Sequence, residues 1–402
     1  MFCQDKFVEI YKKEPEYVSF CPYRVCPIGA HSDHNLGKIT GFALDKGIHI
    51  AFSPKNNGVV ELCSLQFEKR AQWHIRQVPP EKRGDWADYL RGATLLLREL
   101  YPLNVGISGV IEGTLPIGGL SSSAAVVLSF LKSLCVVNEI KLTPSEMIEI
   151  SMRVENQYVG VNSGKLDQSC EMYSRKNRLL YLDTQNDTYE LIAFGQDKQT
   201  ENLKREYDNV LPFNIAIFFS GVERSLAGSK FNMRVDECRS AAYALMAYSG
   251  YEYGKFAEAN LRYVPREVFE QYKHRLPDNW RLRAEHWYNE FERVEQGAEA
   301  WRNGDIESYG KLSFESGKSS IYNWDTGSPE LKTLYNILCK TDGVYGGRFS
   351  GAGFKGCCMA LISPDFTEQI EKTVSKEYLK VFPDLRGKYS FHLCHSADGL
   401  NM

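Results

Sequence analysis

The hydrophobic positions of the chain fall into short runs that switch between a period of two and a period near 3.6. Residues 1–16 fit a short amphipathic helix, and 17–25 alternate as a strand. Segments 41–52, 59–67 and 72–78 read as further strands, and a helix begins at Asp85 and runs to about 101. Segment 105–112 is a strand that feeds a glycine turn and then an apolar helix from Ala124 onward. The next helix, 143–158, has a marked start: Thr143 caps, Pro144 takes the first helical position and Glu146 stands where a capping box needs it. A turn with one carboxylate follows at 161–168, then a strand at 179–183. Segment 184–210 is polar and holds no steady period, so the domain boundary is placed there, giving 1–190 and 191–402. Beyond it, 213–219 is an apolar strand, 232–248 a helix, 251–315 two or three helices rich in charge and aromatics, and 331–338 a helix. A second glycine-rich turn at 346–356 leads into the strand 357–362, a helix at 366–378 and a last strand at 389–395.

Composition narrows the class. The 402 residues are enough for two domains with ample core, and 43% hydrophobic with 25% charged residues is ordinary for a soluble globular protein. A net charge of -3 gives no electrostatic case for a nucleic-acid or membrane partner. The 11 cysteines are scattered, with Cys357 and Cys358 adjacent in an apolar run, which predicts reduced, buried thiols. The first residues lack the apolar core of a signal peptide, and no run reaches the ~20 apolar residues of a membrane span, so the expected location is cytoplasmic.

The candidate chemistry begins with Gly113–Val127, which carries Pro116, Gly118, Gly119, Leu120, Ser121, Ser122, Ser123 and Ala124. A glycine turn entering a helix presents free N–H groups and the positive end of a helix dipole, a setting for phosphate. The same stretch fits a loop whose serines merely cap a core helix. No Gly-Lys-Ser/Thr follows, so it is not a Walker loop. The second glycine turn, with Gly351 and Gly353, reads alone as a tight bend; two such turns facing one ligand would cradle a polyphosphate. Phosphoryl transfer also needs a metal and a positioned acceptor hydroxyl. Ser123 offers a magnesium-facing hydroxyl and Glu155 a carboxylate, or Glu155 is a solvated helix charge. Asp167 could accept a proton from a hydroxyl with Arg24 as its partner, or the two form a structural ion pair. The loop carrying His31, Asp33 and His34 suits a polyol, with a metal site as the minor option and an ordinary surface loop as the plain one.

Together these residues resemble the family of galactose, homoserine, mevalonate and phosphomevalonate kinases, the GHMP kinases, and within it the galactokinase branch. Segment 24–37 is similar to the galactokinase signature, 118–125 to the family's phosphate loop, and 347–357 to its third motif, with Lys355 where a glycine is usual. The resemblance implies an α+β fold of two domains, an N-terminal α/β domain of the ribosomal protein S5 domain 2-like kind and a C-terminal ferredoxin-like α+β domain, with the active site between them. It implies ATP and magnesium as cofactors, Asp167 as catalytic base with Arg24, Ser123 and Glu155 on magnesium, and His31, Asp33 and Gly164 on the sugar. Trp86 and Tyr89 match an aromatic segment on the nucleotide side.

Two departures shape the substrate reading. The signature's glutamate, which contacts the C6 hydroxyl of galactose in the family, is Ala30 here, and its tyrosine is His34. This pattern resembles the plant-type galacturonokinases. Phe231 stands where sugar-contacting relatives have tyrosine, which removes a hydroxyl donor. The resemblance therefore implies a sugar-acid 1-kinase acting on galacturonate, with galactokinase as the alternative. His31, His34 or Arg224 would answer the substrate's carboxylate. A non-catalytic sugar sensor of the same branch would disrupt the serine loop, whereas this chain keeps Ser121, Ser122, Ser123 and Asp167.

Overall fold

A computed structural model describes residues 2–197, 210–222, 230–251 and 254–401. Two sheets organise them. The larger contains β1 (Tyr17–Val25), β2 (Lys38–Lys55), β3 (Val59–Ser64), β4 (Ala71–His74), β5 (Gly106–Gly113), β6 (Arg178–Asp183) and β7 (Thr188–Ala193). Its order is β4-β3-β5-β2-β6-β7, and β1 also pairs with β2. The 18-residue β2 is the hub: its start pairs with β6, and its length with β1 and β5. The smaller sheet is antiparallel throughout, built from β8 (Asn214–Phe219), β9 (Val344–Phe349), β10 (Cys357–Ile362) and β11 (Ser390–Cys394) in the order β11-β8-β10-β9. The short β12 (Ser396–Ala397) then returns to pair with β2.

The helix Ser122–Val137 is apolar on nearly every side because it packs between β1, β2 and neighbouring helices, the signature of a fully covered helix. Phe130, Leu131 and Leu134 are wholly buried there, each stabilising the fold by about 1.5–3 kcal/mol relative to exposure. The buried Trp301, on the helix Asp278–Arg302, donates its indole N–H to the Ile192 carbonyl at 3.1 Å, tying that helix to β7. The capping box at Thr143 is formed as expected, and Pro144 sits in the first turn of the helix Pro144–Arg153.

Three differences from the sequence-based expectations have physical causes. The polar segment 184–210 contains β7, an edge strand whose first three residues are exposed, so no apolar period announces it; residues 198–209 lie outside the described residues. The expected helix 143–158 ends at Arg153 and continues as a π-turn, Val154–Val159. The glycine-rich turn expected at 346–356 begins with strand β9, and the turn proper spans only 350–356. Gly346 is there for close approach: a Cβ on it would stand 2.4 Å from the Gly310 carbonyl oxygen, and one on Gly310 2.1 Å from the Tyr345 oxygen. The paired glycines let β9 lie directly on the helix Ile306–Tyr322.

Candidate active site

The two glycine turns meet. A Cβ on Gly118 would stand 3.0 Å from the Gly356 Cα, and one on Gly351 3.0 Å from the Gly119 oxygen. Both Gly118 and Gly119 hold positive φ, so side chains are excluded twice over. Behind them the helix Ser122–Val137 points its N-terminus at the cleft, which Ser121, Ser123 and Gly351 line. The serines do not cap this helix. Ser121 is left-handed at φ +57, makes no side-chain cap bond, and leaves its buried Oγ without a partner. Leu120 and Ala124 are packed in the core, so any part they play toward a ligand is through backbone.

Ser123 Oγ instead donates to Glu155 Oε1 at 2.9 Å. Glu155 sits on the π-turn, a distortion found mostly at functional sites, and is 5% exposed, which overturns the solvated-charge alternative. Its Oε2 accepts from Ser163 Oγ at 2.8 Å and Gln168 Nε2 at 3.1 Å. Burial raises this carboxyl, and the nearby Asp167 charge adds to the rise.

Asp167 was expected in a turn; it occupies the first turn of the helix Leu166–Tyr173, with a side chain 27% exposed to the cleft. Arg24, 3% exposed, grips its Oδ1 with Nε and Nη2, both at 2.7 Å. Arg24 Nη1 also donates to the Gly119 carbonyl at 3.0 Å. Burial works against the guanidinium's charge, but Asp167 more than offsets it and holds Arg24 above its ordinary range. One arginine thus joins the carboxylate to the glycine turn.

The polar loop after β1 folds over the other end of the cleft. Asp33 Oδ2 accepts from the Leu166 N–H at 3.0 Å, and a Cβ on Gly164 would fall 2.3 Å from that oxygen, so Gly164 is fixed as glycine by Asp33. Burial pushes Asp33 up to about 6; the Leu166 N–H opposes this and the Asp167 charge reinforces it. His31, at φ +62, stacks on Trp324 with ring centroids 5.0 Å apart and planes 7° apart. His34 lies 5.1 Å from Trp324 and edge-on to Phe231. Asn35 fixes the His34 tautomer: its amide nitrogen donates to Nδ1 at 2.7 Å, while its oxygen accepts from the Leu261 N–H at 3.1 Å. The same logic places a proton on His286 Nε2, which reaches the Ala30 carbonyl at 3.0 Å, with Ser319 Oγ on Nδ1 at 2.8 Å. Burial lowers all three imidazoles, His31 well below its ordinary value, His34 to about 3 and His286 to about 4. Among the described residues His31 Nε2, His34 Nε2 and Trp324 Nε1 are buried without partners.

Ala30, His31, Asp33, Gly164 and Phe231 line one cleft with Arg24, Asp167, Ser123 and Glu155. Trp86 is not among the residues that line this cleft and stacks on Phe67 with planes 2° apart, while Tyr89 lines the cleft. Arg224 lies outside the described residues. His286, Trp324 and the cleft-lining Arg348 are site residues that sequence reasoning missed. A signal existed: Ser313, Ser316 and Ser320 recur at helical spacing and are all buried, a polar stripe that demands polar partners.

Comparison with known proteins identifies the family. Residues 88–175 match the family description GHMP kinases N terminal domain, and residues 5–54 match the galactokinase galactose-binding signature. The chain is 36% identical to a galacturonokinase of Arabidopsis thaliana, over 95% of this chain and 92% of the relative. It is 31% identical to a galactokinase of Streptococcus thermophilus, over 94% and 93%. The crystal structure of Lactococcus lactis galactokinase complexed with galactose superposes with a TM-score of 0.86 at 26% identity, covering 99% of this chain and 98% of that one. No helix among the described residues is long and apolar enough to cross a membrane. With its two-domain α+β fold, the chain belongs to the galactokinase branch of the GHMP kinases and is an ATP-dependent sugar 1-kinase.

Proposed function

We propose that the sugar is an acid, D-galacturonate, and that the product is galacturonate 1-phosphate. The observation that carries this is Ala30, a methyl group on the cleft wall where the galactokinase signature has a carboxylate. A glutamate there would face the uronate charge. Like charges ~4 Å apart repel by roughly 4 kcal/mol at an effective dielectric of about 20, enough to reject the acid. The identity to the Arabidopsis galacturonokinase supports the same reading.

In this reading Asp167 takes the proton of the anomeric hydroxyl while Arg24 keeps the carboxylate aimed. Asp33, His31 and Gly164 orient the ring, and the interlocked glycine turns hold the nucleotide phosphates through backbone N–H groups. The donor set fits magnesium: a buried carboxylate and a hydroxyl, both hard oxygen ligands, beside a phosphate cradle. Among the described residues no three histidines, cysteines or carboxylates gather as a closed metal cage. Ser123 and Glu155 would hold magnesium, and when bound it neutralises charge on the phosphates.

The test is a phosphorylation assay on galacturonate, glucuronate and galactose with ATP and magnesium. Galacturonate is expected to give the highest kcat/KM. A preference for galactose would overturn the acid reading and leave a galactokinase.

A further inference from the structure

The neutral wall at Ala30 explains why an acid is tolerated but not what binds its charge. The helix Asp278–Arg302 and strand β9 bring three charged groups together behind that wall: Arg293, Glu290 and Arg348. Glu290 and Arg348 are wholly buried. Glu290 is claimed first by Arg293, whose Nε donates to Oε2 at 2.8 Å and whose Nη2 stands 2.7 Å from the same oxygen. Its Oε1 accepts the Gly29 N–H at 2.6 Å. Arg348 Nη1 stays 3.6 Å from that oxygen, with the Ser316 hydroxyl bonded to both groups. The other donors of Arg348 go to neutral oxygens, Ser320 Oγ at 2.9 Å and the Phe349 carbonyl at 3.1 Å.

Two guanidinium groups therefore share one carboxylate, and the less well compensated one lines the cleft with Ala30 and His31. Among the described residues its neighbours do not supply the missing charge. Arg234 and Arg283 have their own carboxylates, Asp325 and Glu237. His31 and His286 are neutral, and after burial itself the Arg348 charge is the largest influence holding His31 so. Arg348 and His31 line the same cleft. A buried cation lacking a full counter-charge is costly, and an arriving carboxylate relieves that cost. His31 adds an unpartnered buried Nε2 beside it.

We infer that Arg348, with His31, binds the carboxylate of the acidic sugar, so that substrate supplies the counter-charge that a glutamate at position 30 would otherwise provide. This assignment rests on the acid-sugar reading above. It moves the role away from Arg224, for which it had been an expectation.

The experiment compares kcat/KM for galacturonate and for its uncharged amide, galacturonamide, in parent, Arg348→Gln and Arg348→Lys. The parent should prefer the acid. Arg348→Gln should cut the acid-to-amide ratio about 100-fold, mostly through KM, and Arg348→Lys should recover part of it by restoring charge without the fork. A parent with no preference for the acid overturns both this assignment and the substrate reading. A preference that survives Arg348→Gln overturns the assignment alone. A melting measurement decides the case in which the Arg348 variants do not fold. Ala30→Glu should melt at or above the parent temperature, because the new carboxylate meets an under-compensated arginine, and galacturonate should no longer raise its Tm. A fall of about 5 °C or more, as for an unpaired buried carboxylate, would overturn the assignment.

Discussion

The two ends of the cleft are built on different principles. At the phosphate end, backbone meets backbone: Gly118 and Gly119 nest against Gly351 and Gly356, and Arg24 spans from Asp167 to the Gly119 carbonyl. Glu155 accepts from both the Ser123 and Ser163 hydroxyls, while Ser121 Oγ and Gln168 Oε1 are buried without a partner among the described residues. At the sugar end, side chains meet side chains. His31 and His34 from the first polar loop stack on Trp324, and His286 ties the Ala30 carbonyl to Ser319. Three ring nitrogens there lack partners among the described residues. Unpaired buried polar atoms destabilise the free protein, and at this end they are ring nitrogens grouped around His31 and Trp324. In the proposed function the first end holds the nucleotide phosphates through fixed backbone, and the second selects the sugar through side chains.

The largest effect should come where the two ends join. Asp167→Asn keeps the shape of the side chain but removes the proton acceptor. Turnover should fall about a thousandfold or more while ATP still binds. Near-normal turnover would remove Asp167 from the proton-transfer role and reduce its contact with Arg24 to a structural ion pair.

A smaller effect isolates the phosphate end. Ser123→Ala removes the hydroxyl that donates to Glu155. The magnesium concentration needed for half-maximal rate should rise about tenfold, with the KM for sugar little changed. Magnesium titrations of Ser123→Ala and Glu155→Gln that both overlay the parent curve would place the metal elsewhere.

The smallest effect is in stability and belongs to the sugar end. His286 is held to about 4 by burial, against an ordinary value near 6.5, so the unfolded chain binds its proton first as pH falls. Its contribution is therefore present above about 6.5 and lost as acidification proceeds toward 4, at up to about 1.4 kcal/mol per pH unit. Asp33, raised to about 6 chiefly by burial, works in the opposite direction over part of this window. Comparing parent with His286→Gln cancels that contribution. Urea unfolding from pH 6.5 to 4.5 should show the glutamine variant gaining on the parent as pH falls. A gap that stays constant with pH would show that His286 is not a buried neutral group.

The same contrast explains what could be read from the chain. The phosphate end was legible because its parts are local. A glycine turn, a helix start and a capping box are each encoded within a few residues, and Thr143, Pro144 and Glu146 form the box their spacing predicts. The pairing of Arg24 with Asp167, 143 residues apart, was raised from the residue types and given catalytic roles by the resemblance to known kinases, and the geometry then supplied a grip of two nitrogens on one oxygen. The sugar end was legible only in part. Ala30, His31 and His34 stand together in one loop, but the residues that give them meaning lie more than 250 positions away, on the helices Asp278–Arg302 and Ile306–Tyr322 and just after the latter.

What the sequence by itself determined is most of the elements, the two glycine turns and the absence of a carboxylate at position 30, because those follow from short-range sterics, periodicity and residue identity. What only the tertiary structure decided is charge balance. Whether Glu155 is solvated or buried, whether Arg348 belongs to a turn or to a strand, and how much of Glu290 remains for it once Arg293 has bound depend on which side chains are brought within a few ångströms. Electrostatic strength is set by distance and burial, and neither is written in the local order of residues.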